Sequence, residues 1–153
     1  MTVIAESPKE MAAMIINPLY SIGIDEMDTQ HARWIQLIEE FKAVASGHLL
    51  DQSSVAATEK ALAKLLEYTK NHFASEEQFI AAHQYPDLEA HKKHHRELER
   101  EVLKLHNEIV AHTSERVPLK LNLLITIWLM EHITKEDAKY ASFILKKRGS
   151  PRK

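Results

Sequence analysis

No cysteine occurs among the 153 residues. Its absence excludes disulfides, thiolate zinc sites, iron–sulfur clusters and cysteine nucleophiles. Glycine and proline are scarce, three and five residues, and they fall between periodic segments, which favours an all-α protein. No long block carries one sign of charge, and a formal net charge of -2 comes without the basic face of a nucleic-acid binder. The N-terminus has no basic region followed by an apolar one, so no signal peptide is evident; no apolar run approaches membrane-spanning length. The expectation is a cytoplasmic protein with neither nucleic acid nor membrane as partner. With 44% apolar and 27% charged residues, the chain is ordinary for one globular domain with a single core. Histidine is the exception, with ten copies that need explaining.

Helical periodicity organises the chain. Asp28 is placed to N-cap a first helix whose Trp34, Ile35, Ile38 and Phe41 recur at helical spacing, with Gly47 just past its end. A second begins near Ser53 or Ser54 and carries Leu62, Leu65, Tyr68, His72 and Phe79 on one face. It stops before Tyr85-Pro86, because a residue preceding proline is pushed out of the α region. Asp87 is placed to cap a third helix, with Leu88, His91, Leu98, Val102, Leu105 and Ile109 inward. Pro118 suits the first turn of a fourth, which runs through Leu121, Ile125 and Trp128 to about Leu145. Four amphipathic helices with short links predict an all-α, up-down-up-down four-helix bundle. A single domain spans 1–153, with an extended N-terminal arm over 1–27, the bundle over 28–147 and a frayed tail over 148–153.

Helical angle then sorts the histidines. With about 100° per residue, Leu65 and Phe79 lie within roughly 20° of His72, and Glu76 lies at about 40°, inward; Glu77, at about 140°, faces water. A carboxylate and an imidazole on a buried face are costly unless something binds them. His31 sits in the stripe of Trp34, Ile35 and Ile38, and His132 shares the face of Ile125 and Trp128. On the third helix His91 is central, while His95 at about 40° is favoured only narrowly over His94 at about −60°. Each lone inward histidine has a bland reading as a hydrogen-bonded core residue. His48, His83, His94, His106 and His112 are left on that account as surface or rim residues, although the angle of His83 points inward. The conjunction changes the weighing: all four helices carry an inward histidine, and one also carries an inward glutamate.

Gly23-Ile24-Asp25 through Asp28-Thr29-Gln30-His31, His72-Phe73-Ala74-Ser75-Glu76-Glu77, His91-x3-His95 and Trp128-Leu129-x2-His132-x4-Asp137 cover most of the chain. In that order and spacing the sequence resembles the hemerythrin family, in its single-domain bacterial form. The resemblance implies a non-haem di-iron site that binds O2 reversibly, for oxygen storage, delivery or sensing, in a protein that is not an enzyme. It implies two iron ions, Fe2+ without O2 and Fe3+ with it, joined by an oxo or hydroxo bridge. His91, His95 and His132 would hold one, His31 and His72 the other, and Glu76 and Asp137 would bridge them. With both ions six-coordinate, only the two-histidine ion keeps an open position. An apolar ring of Trp34, Ile35, Phe79 and Leu129 would line the O2 pocket. Two departures touch no expected ligand. Ile15 or Ile16 stands where the arm usually has a tryptophan, and Gln84 stands where a glycine commonly ends the second helix.

One assignment conflicts with helix geometry. From His132, Asp137 lies about 140° away, whereas Glu136 lies at about 40° and is the naive choice. Yet Ile133, Asp137, Tyr140 and Ile144 share a face rotated by about 100° from the one before His132, as one inserted residue would cause. A π-bulge or local unwinding between His132 and Asp137 is therefore expected. Rival readings remain. A di-iron oxidase or ferritin-like enzyme would show Glu-x-x-His motifs, and none occurs here. A redox or metal sensor would act through a partner protein, and an oxygen-storing chain through an oxygen-consuming enzyme. A structural bundle with incidental histidines would hold no metal. The resemblance leans toward a monomer.

Overall fold

Asp25, Glu26 and Asp28 crowd the first turn of α1 (Asp25–Ala45), where carboxylates meet the partial positive charge of a helix N-terminus. The computed structural model describes residues 20–45, 52–111 and 117–149. Most of the expected arm, Gly47 and residues 150–153 lie outside them, as do His48 and His112. Helix α1 begins three residues before the expected cap. Asp28 therefore does not N-cap it; its carboxylate reaches back to accept from Ile22 N (2.8 Å), Gly23 N (3.2 Å) and Ser21 Oγ (2.8 Å). Those bonds fold the entering chain over the helix start, a turn that Gly23 permits with φ 78°.

Helix α2 (Gln52–Ala82) stops where proline demands, in a Schellman-type turn. Tyr85 N donates to Ile80 O (3.1 Å) and Gln84 N to Ala81 O (2.9 Å), with Gln84 at φ 57° in the left-handed position. Helix α3 (Leu88–Val110) comes next. Asp87 occupies its N-cap position but makes no side-chain cap bond, so its expected capping role is not observed. Its carbonyl instead accepts the first ladder bond, from His91 N (3.0 Å). Helix α4 (Val117–Glu131) starts one residue before Pro118 and passes directly into a π-helical segment, His132–Asp137. Helix α5 (Ala138–Gly149) continues the same rod, and residues 148 and 149 form its last turn.

Each of α1, α2, α3 and α4 packs on the next, and α4 closes against α1, giving the four-helix bundle. Two apolar clusters fill it. The larger holds Trp34, Leu37, Ile38, Phe41, Leu62, Leu65, Leu98, Val102, Leu121 and Ile125. The smaller, towards α5, holds Ile24, Met27, Ile80, Tyr85, Tyr140 and Ile144. Buried polar side chains lie where the two meet: His31, His72, Glu76, His91, His95, His132 and Asp137, none more than 3% exposed. Seven polar groups in one apolar interior require a common explanation.

Candidate metal centre

Glu76 is the hub of that polar band. Its Oε2 lies 3.1 Å from His95 Nε2, 3.2 Å from His91 Nε2 and 4.0 Å from both His132 Nε2 and His72 Nε2. The spacing of one helical turn stacks His72 and Glu76 on α2, and the same spacing stacks His91 and His95 on α3. Helix α4 ends by presenting His132, whose Nε2 is 3.0 Å from His95 Nε2.

The π segment supplies the last carboxylate. An extra residue in the turn rotates the helix beyond it, so Asp137 is fully buried while Glu136 points outward onto Lys139 (2.8 Å). The expected bulge is observed, and it turns Asp137 rather than Glu136 into the interior. Asp137 straddles the band. Its Oδ1 is 2.9 Å from His132 Nε2 and 3.5 Å from His91 Nε2, while Oδ2 is 3.2 Å from His31 Nε2.

Two donor sets result. Glu76, His91, His95 and His132 each bring a ligand atom within 4.8 Å of all the others, and His31, His72 and Glu76 do the same. Several of these atoms lack ordinary partners. Both ring nitrogens of His31, Nε2 of His72 and both oxygens of Asp137 are buried without a hydrogen bond, even where a neighbour is near in distance. Converging lone pairs about 3 Å apart, orphaned in an apolar interior, fit cis ligands of a metal ion about 2.1 Å from each donor. Imidazole suits iron, and carboxylates suit hard cations.

Outer partners fix the imidazoles. His72 Nδ1 donates to Gln30 Oε1 (2.8 Å), whose own Nε2 donates to Ser75 Oγ (3.1 Å). His95 Nδ1 donates to Glu77 Oε1 (2.8 Å). Both bonds leave the Nε2 lone pair facing the band. Tyr140 donates its hydroxyl to Glu76 Oε1 (2.6 Å). Rings wall the other side: Phe73 stacks on His95 at 3.7 Å, Trp128 on His132 at 4.2 Å, and Trp34 sits 5.0 Å from His72.

Charge reflects this arrangement. Burial alone would raise the Glu76 pKa, but hydrogen bonds from His132, His91 and His95 hold it well below the ordinary carboxylate range. Asp137 is likewise pushed up by burial and by Glu76, yet His132 and His31 keep it low. Burial pushes His72 down to about 4, whereas the charges of Asp137 and Glu76 overcome burial at His132 and lift it to about 9. Burial and the two carboxylates raise Tyr140, so its hydroxyl keeps the proton it donates.

The hemerythrin HHE cation binding domain matches residues 22–144, most of the chain. The chain belongs to the hemerythrin family. It is 30% identical over 132 residues to a bacteriohemerythrin of Stenotrophomonas maltophilia, covering 86% of this chain and 81% of that one. A bacteriohemerythrin of Pseudomonas aeruginosa is 30% identical over 134 residues, 88% and 83% of the two chains. One of Clostridium acetobutylicum is 21% identical over 122 residues, 79% and 93%.

Within this hemerythrin-family bundle, all seven side chains expected as ligands come together. The four expected pocket residues divide. Trp34 and Leu129 are buried in the larger cluster and Ile35 packs half-buried against it, but Phe79 packs against the smaller cluster, 4.4 Å from His83. His83 Nδ1 donates to Phe79 O (2.8 Å), a local bond at the end of α2. His94 is half-exposed, with Glu97 and Glu136 within 4 Å. The sequence reading missed Gln30, Phe73 and Glu77 as neighbours of the centre. Glu77 was expected in water; it is 24% exposed because its chain reaches sideways from α2 to α3. Gln30 carried one available signal, since it lies four residues before Trp34 on the same side of α1.

Proposed function

We propose that the protein binds O2 reversibly at a non-haem di-iron centre, as an oxygen store, carrier or sensor rather than as an enzyme. The observation that carries this reading is the pair of buried donor sets sharing Glu76, with the two oxygens of Asp137 directed one to each side. His91, His95 and His132 would hold one iron and His31 and His72 the other, with Glu76 and Asp137 between them. The donor count leaves the two-histidine side poorer by one ligand, and that side is where a small molecule would enter. When bound, the iron pair supplies the two electrons that make O2 attachment favourable and reversible.

The chain's own residues restrain that chemistry. Gln30 and Glu77 hold imidazole tautomers, and the Tyr140 hydroxyl donates to Glu76 Oε1, fixing the carboxylate with Oε2 turned to the histidines. Trp34, Phe73 and Leu129 keep water from the centre. A cavity of about 410 Å³, lined inside by Leu65, Leu98, Val102 and Ile125, ends at Trp34, whose ring stands 5.0 Å from His72 and separates the two. With metal bound, five neutral imidazoles and two carboxylates would make the site less anionic than carboxylate-rich di-iron enzymes, which favours binding over O–O cleavage.

Anaerobic titration with Fe2+ tests the reading first. Two ions per chain are expected, then uptake of one O2 per ion pair at an oxygen electrode. Saturation at one ion per chain, or O2 consumed in excess of that ratio, contradicts it.

A further inference from the structure

Helix α4 is apolar on both sides. Leu121, Ile125 and Leu129 face the core, while Leu119, Leu123, Ile127 and Met130 are 60%, 54%, 57% and 45% exposed on the opposite face. At 100° per residue these four fall within an arc of about 80°. The contrast with α3 is sharp, since its outer face carries Lys93, Glu97, Glu101 and Lys104. A surface helix normally has one apolar stripe, and an exposed second stripe marks an interaction surface.

Charge identifies the partner. Between residues 117 and 131 only Lys120 and Glu131 are charged; both are exposed, and Glu131 also holds Lys135 of its own chain at 3.1 Å, leaving its second oxygen for a partner. They bracket the stripe, lie on the same flank within about 20° of each other, and stand roughly 16 Å apart along the helix. Two helices related by a two-fold axis and running antiparallel bring like flanks together. Centred near residue 125, that pairing sets Lys120 of one copy beside Glu131 of the other, twice. It also packs Leu123 against Ile127 and Leu119 against Met130. A parallel pairing instead puts Lys120 level with Lys120. We propose that the outer face of α4 is a self-complementary interface through which two copies of this chain form a closed antiparallel dimer, in place of the expected monomer. An isologous contact of this kind closes at two and leaves no face for a third copy.

The test is sedimentation equilibrium on the full, iron-loaded chain at tens of micromolar. Twice the 17.6 kDa chain mass is expected. Leu123→Glu combined with Ile127→Glu should give monomers with unchanged helical circular dichroism and iron content, because neither side chain faces the core. Should that variant not fold, the charges decide. Lys120→Glu or Glu131→Lys alone should weaken the dimer about tenfold, and the double swap should restore it. A monomeric wild type overturns the proposal, whether residues 1–19 of the same chain or another protein covers the face. So does a mass above the dimer, a dimer indifferent to the paired glutamates, or a double swap no tighter than either single change.

Discussion

An imidazole that donates from Nδ1 keeps its lone pair on Nε2, so Glu77 and Gln30 decide which nitrogen of His95 and His72 faces the centre. Glu77→Ala should therefore weaken iron binding by about 10- to 100-fold, read by competition with a coloured chelator, while Glu77→Gln, which keeps an acceptor, should lose less. His94 makes the complementary case. It lies one residue from His95, yet its ring is half-exposed among carboxylates, so His94→Ala should leave iron content intact and His91→Ala should not. Just past the C-terminal end of α2, Gln84 holds a left-handed φ of 57°, a conformation without penalty only for glycine. Gln84→Gly should raise the urea midpoint, with a gain of about 1 kcal/mol.

The π segment is the element on which the centre depends. A regular α-helix through His132–Asp137 would bring Glu136 inward and leave Asp137 at the surface. Asp137→Asn should accordingly lose iron, and Glu136→Gln, which weakens contacts with Lys139 and His94 outside the buried band, should bind it normally; elemental analysis distinguishes them. The other helices were legible because burial imposes a 3.6-residue period: Leu62, Leu65 and His72 on α2, or His91, Leu98 and Val102 on α3, announce their faces directly. The slip in α4 left a trace too, since Ile133, Tyr140 and Ile144 keep a phase that the residues before His132 do not. Helix starts were less legible. Asp28 and Asp87 have the right chemistry for capping, but nothing local says that Asp28 will serve the chain before it or that Asp87 will contribute only its carbonyl. Phe79 shares the angle of His72, yet it stands two turns along α2, beyond the centre and beside the smaller cluster. Periodicity fixes a residue's side of a helix and says nothing of what the neighbouring helix offers at that height.

For the whole molecule, the band of five histidines and two carboxylates is a burden to folding unless metal occupies it. Apolar clusters on both sides hold the bundle, so the metal-free chain should stay helical but unfold at a lower temperature. Free iron at 100 times its dissociation constant adds about 2.7 kcal/mol per site, and a chelator should reverse the gain in a thermal scan. An unchanged midpoint would mean that the histidines are satisfied without metal. O2 makes the more direct demand, because a centre built for binding must give its ligand back. The decisive measurement is an optical titration of the anaerobic, Fe2+-loaded protein with O2, then an argon purge and repetition. The account predicts a visible charge-transfer band that saturates with O2, disappears under argon and returns through several cycles. Irreversible oxidation with no such band would contradict it.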